Sequence, residues 1–192
     1  VSKFICYYFY KNIILVVVDI FFALSNGFSG QIYFADYLST LYNAFFTSWP
    51  CLFTFALEQE HSLLITQKFP ILYAAGQKNT LFNLKVFWSN IAYAFFHSLC
   101  AFYIPAIGLS DILNSVGETF SHWYISTVSF SMVVHIVTFK LLLVSNYWNI
   151  LNILSAIVSI VFYYICVMVL STVEFSKKFQ PELIGVVPGM FF

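Results

Sequence analysis

The sequence has no arginine, and its eight lysines and eight acidic residues leave only 8% of the 192 residues charged, with a formal net charge of zero. No basic face is available to grip a phosphate backbone, which sets nucleic-acid binding aside. The four cysteines, Cys6, Cys51, Cys100 and Cys166, stand singly inside apolar stretches with no CxxC pair and no histidine beside them. They read as small buried hydrophobes, not as metal ligands or disulfide halves. No Asn-x-Ser/Thr sequon occurs. No Ser/His/Asp set, phosphate-binding glycine loop or metal cluster can be assembled, so these residues offer no catalytic site, no metal site and no cofactor of their own.

What is abundant is apolar surface: 61% of the residues are hydrophobic and 21% aromatic. A water-soluble globule could not hide that much, whereas a bilayer accepts it. Charge-free runs extend over Ile20–Ala35, Tyr37–Leu57, Val86–Ser110, 119–139 and Leu141–Val173. The last four are long enough to cross roughly 30 Å of hydrocarbon at about 1.5 Å per residue.

These runs predict an all-α, polytopic membrane helix bundle forming one membrane domain over 1–192. Five complete helices are expected at about 3–24, 36–57, 86–108, 122–142 and 147–171, with the start of a sixth at 183–192. The first two form a hairpin through the glycine-rich turn Ser25–Gly30, and Pro50 predicts a kink in the second. Residues 58–85 read as the one substantial polar connection. A first residue other than Met and a final apolar run, Leu183–Phe192, read as the marks of a piece of a longer chain. No signal peptide is recognisable, since the first helix carries Lys11 and Asp19. Lys3, Lys68, Lys78, Lys85 and Lys140 fall on one side of this topology and only Lys177 and Lys178 on the other, which predicts a cytoplasmic N-terminus.

Lys11 is the sharpest polar signal, because a lysine inside a spanning helix costs about 2.5–3.5 kcal/mol on insertion scales. Two readings stay open. In one, the ammonium lines a polar path or fixes a neighbouring unwound helix by bonding its carbonyls; in the other, it snorkels to the headgroups. Asp19, eight residues on, is about 12 Å along the axis and roughly 80° round it, so a direct ion pair is not expected. Asn12, Asn26 and Gln31 add polar groups near the first hairpin. His97 and His135 suggest interhelical hydrogen bonds more than a proton relay.

Phe9-Tyr10-Lys11-Asn12, Asn26-Gly27-Phe28-Ser29-Gly30-Gln31, then Tyr42-Asn43 with Phe46-Thr47 and Pro50 occur in an order and spacing that resembles the P4-type phospholipid-flipping ATPases. Phe69-Pro70-x-Leu72-Tyr73, Gly76-Gln77-x-Asn79, Phe82-Asn83-x-Lys85-Val86-Phe87-Trp88 and His97-Ser98-Leu99 extend the likeness to about Pro105. The resemblance implies helices five to ten of that family's C-terminal membrane region, in a eukaryotic plasma membrane or endomembrane. It implies that Lys11 and its neighbour Asn12 lie on the transport path and that Asn26 lies near an outer headgroup site. It also implies a phospholipid substrate, the remainder of the same polypeptide as partner, an accessory glycoprotein subunit, and Mg-ATP for the full-length protein. The family's Asp-Lys-Thr-Gly-Thr phosphorylation motif does not occur here, so this chain alone is not expected to hydrolyse ATP. After the second helix, Phe55-Ala56-Leu57-Glu58 puts bulk where many members have glycine and keeps the acid. A degenerate flippase-like module regulating a fused enzyme, such as a guanylyl cyclase, is the alternative.

Overall fold

The computed structural model describes residues 2–58, 82–110, 112, 119–146 and 149–172, with side chains as far as residue 169 in the last helix. Among them, the helices run in the order α1 (Ser2–Ser25), α2 (Asp36–Leu41), α3 (Ser48–Leu57), α4 (Leu84–Ser110), α5 (His122–Val144) and α6 (Ile150–Thr172), with a π-helical turn, Tyr42–Phe46, between α2 and α3. The all-helical expectation holds. Four helices, Ser2–Ser25, Leu84–Ser110, His122–Val144 and Ile150–Val169, are long and apolar enough to cross a bilayer. The proposed start of a sixth span at 183–192, and most of the connection 58–85, lie outside the described residues.

The expectation of five complete helices needs correction at the second, where the kink expected at Pro50 is a full interruption. Residues 36–57 form three short pieces, broken over Tyr42–Thr47. Pro50 explains the position of the break. Its ring clashes with the carbonyl four residues back and it has no N–H to donate, so regular helix cannot run through it from Phe46. In the first turn of α3 the same proline is harmless, because N–H groups there have no helical partner to lose. The interruption therefore lies upstream of the proline.

α1 is the hub of the bundle, packed chiefly on α4 and also on α5. Tyr10, Ile14 and Val18 on one face of it are buried, as are Phe130, Val133, Val134 and Val137 of α5. α4 presents small residues, Ala94, Ser98 and Ala101, to this core. Lipid tails are as apolar as leucine, so close backbone approach and interhelical hydrogen bonds replace the hydrophobic drive between spans. The Ser98 hydroxyl bonds the Ile14 carbonyl of α1 at 3.1 Å, and the Tyr7 hydroxyl bonds the Val137 carbonyl of α5 at 3.2 Å. α6 packs outside α5 and against the interrupted span.

At the end of α1, Gly27 (φ 62) and Gly30 (φ 78) take left-handed backbone conformations, which glycine adopts without the Cβ penalty. The Phe28 N–H bonds the Ala23 carbonyl at 2.9 Å and closes the helix end.

Pro105 lies inside α4 and leaves the Ala101 carbonyl without its helical donor. The Ser129 hydroxyl of α5 donates to that carbonyl at 2.7 Å. Ser129→Ala should therefore destabilise the purified membrane protein by about 0.6–2 kcal/mol, read as a lowered Tm. The same change in a Pro105→Ala background should cost much less, because residue 105 then supplies the missing N–H.

Candidate functional site in the interrupted span

Lys11 points into the bundle, 1% exposed. Its ammonium donates to Thr47 Oγ1 at 3.0 Å and stands 4.8 Å from the centre of the Tyr8 ring, a cation–π contact. Of the two readings left open, snorkelling is not what this side chain does: its amine is turned to the neighbouring span. It goes to Thr47, not to Asp19, which sits on the exposed side of α1.

Thr47 is the residue at which the π turn gives way to α3. Its hydroxyl donates to the Tyr42 carbonyl at 2.7 Å, leaving its lone pairs to accept from Lys11. Its N–H also bonds the Tyr42 carbonyl, at 3.1 Å. The Tyr42 hydroxyl returns to α1 and donates to the Lys11 carbonyl at 2.7 Å. Two spans are thus tied in both directions: the lysine's charged tip reaches the break, and a tyrosine at the start of the break reaches the lysine's backbone. The lysine's link to the unwound carbonyl passes through one hydroxyl. Two further carbonyls of the break are met by hydroxyls, Asn43 by Ser48 and Phe46 by Ser159 of α6. In hydrocarbon that is a requirement for non-helical backbone, since no water can take the place of a missing donor.

The other expected site residues lie apart from this knot. Asn12 bonds the Tyr8 carbonyl of its own helix at 3.1 Å. Asn26 is 15 residues beyond Lys11, roughly 22 Å along the axis. Its side-chain amide donates to Ser29 and, at 3.3 Å, to Gln31, and it lines a cavity of about 310 Å³ with Tyr33, Phe102 and His122. His97 pairs with the Tyr10 hydroxyl at 2.7 Å, whereas His135 bonds the Ser131 carbonyl of its own helix at 2.7 Å. The two histidines have different partners and form no chain between them.

Glu58, the acid retained after the second span, has a defined role in packing. Its carboxylate accepts from the Ser145 hydroxyl at 3.1 Å and the Asn146 N–H at 2.9 Å, joining the end of α3 to the end of α5. Among the described residues no group of three His, Cys, Asp or Glu side chains could hold a metal ion.

Tyr42, Thr47 and Ser159 received no role from the sequence. Pro50 could have pointed to the Phe46 carbonyl by subtraction. Nothing in the sequence pairs that carbonyl with a serine 113 positions away.

The sequence has known relatives. A family model described as "Phospholipid-translocating P-type ATPase C-terminal" matches residues 1–191. A phospholipid-transporting ATPase of Schizosaccharomyces pombe is 32% identical over 191 residues, 99% of this chain and 15% of the relative. Phospholipid-transporting ATPase IC of Homo sapiens is 34% identical over 163 residues, 84% of this chain and 13% of the relative. Phospholipid-transporting ATPase DRS2 of Saccharomyces cerevisiae is 31% identical over 189 residues, 97% of this chain and 14% of the relative. The chain spans about one seventh of the length of these relatives, and none of their names supports a fused cyclase. Matches over nearly its whole length place the chain in the family of phospholipid-translocating P-type ATPases, in their C-terminal region, and the four long apolar helices agree with that.

Proposed function

We propose that this chain is the closing part of the membrane domain of an ATP-driven flippase that moves aminophospholipid from the outer to the cytoplasmic leaflet. It supplies the supporting bundle and one wall of the lipid path. The carrying observation is the Lys11–Thr47–Tyr42 knot, a buried ammonium held against a broken helix. A charge at that depth is costly and usually serves a polar route or a partner. Here it bonds a hydroxyl that itself stabilises unwound backbone, so a change in α1 is transmitted to the second span through two hydrogen bonds. Conformational steps of a pump need two such coupled elements.

In this reading the Lys3 end of α1 faces the cytosol. Asn26, at the opposite end of the same helix, stands at the outer side beside its cavity, with Lys11 and Asn12 toward the inner half of the path. Mg-ATP chemistry belongs to parts of the polypeptide beyond these residues, and an accessory glycoprotein subunit is a partner of the assembled pump. The relatives' names, phospholipid-transporting ATPases, support the substrate class.

In the full-length ATPase, Lys11→Ala should lower lipid-stimulated ATP turnover at least about tenfold, roughly 1.4 kcal/mol of barrier, and Thr47→Val should lower it in the same direction. Lys85→Ala, on an exposed position at the start of α4, should leave it near wild type. Equal turnover in Lys11→Ala and Lys85→Ala overturns the assignment. A cysteine placed at Lys3 should react with a membrane-impermeant maleimide from the cytosolic side, and one placed at Asn26 from the opposite side. Labelling of both from one side rejects the orientation.

A further inference from the structure

We propose that Ser159 of α6 is a positioning residue for the interrupted span: its hydroxyl holds the Phe46 carbonyl that Pro50 deprives of a helical donor, and thereby sets the register in which Thr47 meets Lys11. The inference deepens the proposed function and rests on it, because it gives α6 a part in the same polar knot.

A carbonyl in an α-helix receives the N–H of the fourth residue onward, and for Phe46 that residue is proline. Phe46 is fully buried, so solvent cannot substitute. Ser159, 3% exposed, donates to it. The ring of Phe46 is held by the same turn of α6, with its centre 5.3 Å from that of Tyr163 and 5.9 Å from that of Phe162. Tyr163 is in turn anchored to α5 through Ser131, 2.7 Å away. Backbone and side chain of Phe46 are therefore both fixed from α6, one residue before the threonine that receives the lysine. The pairing of Pro105 with Ser129 repeats the device in a different helix. There it repairs a continuous span, whereas at Phe46 the repaired carbonyl abuts the break. Without the Ser159 hydroxyl, Phe46 must seek another donor, and that shift carries Thr47 away from Lys11.

The test uses the full-length ATPase in vesicles of phosphatidylcholine carrying phosphatidylserine and phosphatidylethanolamine, with ATP turnover followed against lipid content and Tm followed in parallel. Ser159→Ala should lower lipid-stimulated turnover roughly fivefold, the scale of one interhelical hydrogen bond, and Ser159→Thr, which keeps the hydroxyl, should restore it. In a Pro50→Ala background residue 50 supplies the N–H, so adding Ser159→Ala should change little. If Ser159→Ala alone fails to fold, the double variant carries the test. A double that turns over like Pro50→Ala supports the role, and one that fails as Ser159→Ala does overturns it. Wild-type turnover in Ser159→Ala, no rescue by Ser159→Thr, or full additivity with Pro50→Ala also overturns it. Lys11→Ala in the same assay separates the two ideas. If it abolishes lipid stimulation while Ser159→Ala does not affect it, the role of Ser159 falls alone. If Lys11→Ala is also unaffected, or wild type is stimulated by none of these lipids, the proposed function falls and takes this inference with it.

Discussion

Inside hydrocarbon a peptide carbonyl with no donor has nothing to fall back on, and the cost of several kcal/mol per group forbids loose backbone unless protein supplies each bond. Residues 36–57 depart from helical regularity over Tyr42–Thr47, and bonds reach that stretch from three directions. Its own Thr47 and Ser48 hydroxyls serve Tyr42 and Asn43, α6 serves Phe46, and α1 steadies the threonine through its lysine. The arrangement of α1, α3 and α6 around one another follows from where those donors must stand. A break elsewhere in the span would require a different set of neighbours.

The same constraint explains how far the sequence could be read. Charge-free runs of sufficient length declare α4, α5 and α6, because in a bilayer length and hydropathy decide between spanning and not spanning, whereas α1, which carries Lys3, Lys11 and Asp19, is legible from the glycine-rich turn that ends it. Lys11 was conspicuous for the complementary reason, as a charge where none is cheap. Pro50 makes a kink legible there, but not a break of this length. Residues 37–57 have the composition of an unbroken span, and the interruption depends on a proline acting backwards along the chain. Interhelical partners such as Tyr42 with the Lys11 carbonyl, or Ser159 with Phe46, are set by which faces meet in three dimensions. A serine on a helix gives no sign in one dimension of which backbone it will reach. Family likeness supplied Asn12 and Asn26, and the structure keeps both out of the knot, Asn12 on the Tyr8 carbonyl of its own helix and Asn26 at that helix's far end.

Polar side chains in this bundle act mostly on backbone, not on one another. Ser98, Ser129 and Tyr7 each cross from one helix to a carbonyl of the next, so the fit between spans is written in hydroxyl-to-carbonyl contacts whose neutrality suits a low-dielectric setting. The lone buried ammonium among the described residues is the exception, and it stands where the backbone is least regular.

The Glu58 carboxylate, bonded to Ser145 and Asn146, clamps one extremity of α3 to the α5–α6 junction, while Phe46 is clamped at the other extremity by α6 itself. A rod of ten residues held at both ends behaves mechanically as part of the frame. Short α3 is thus fixed near each end by a neighbour, on one side through a carboxylate and on the other through a buried carbonyl.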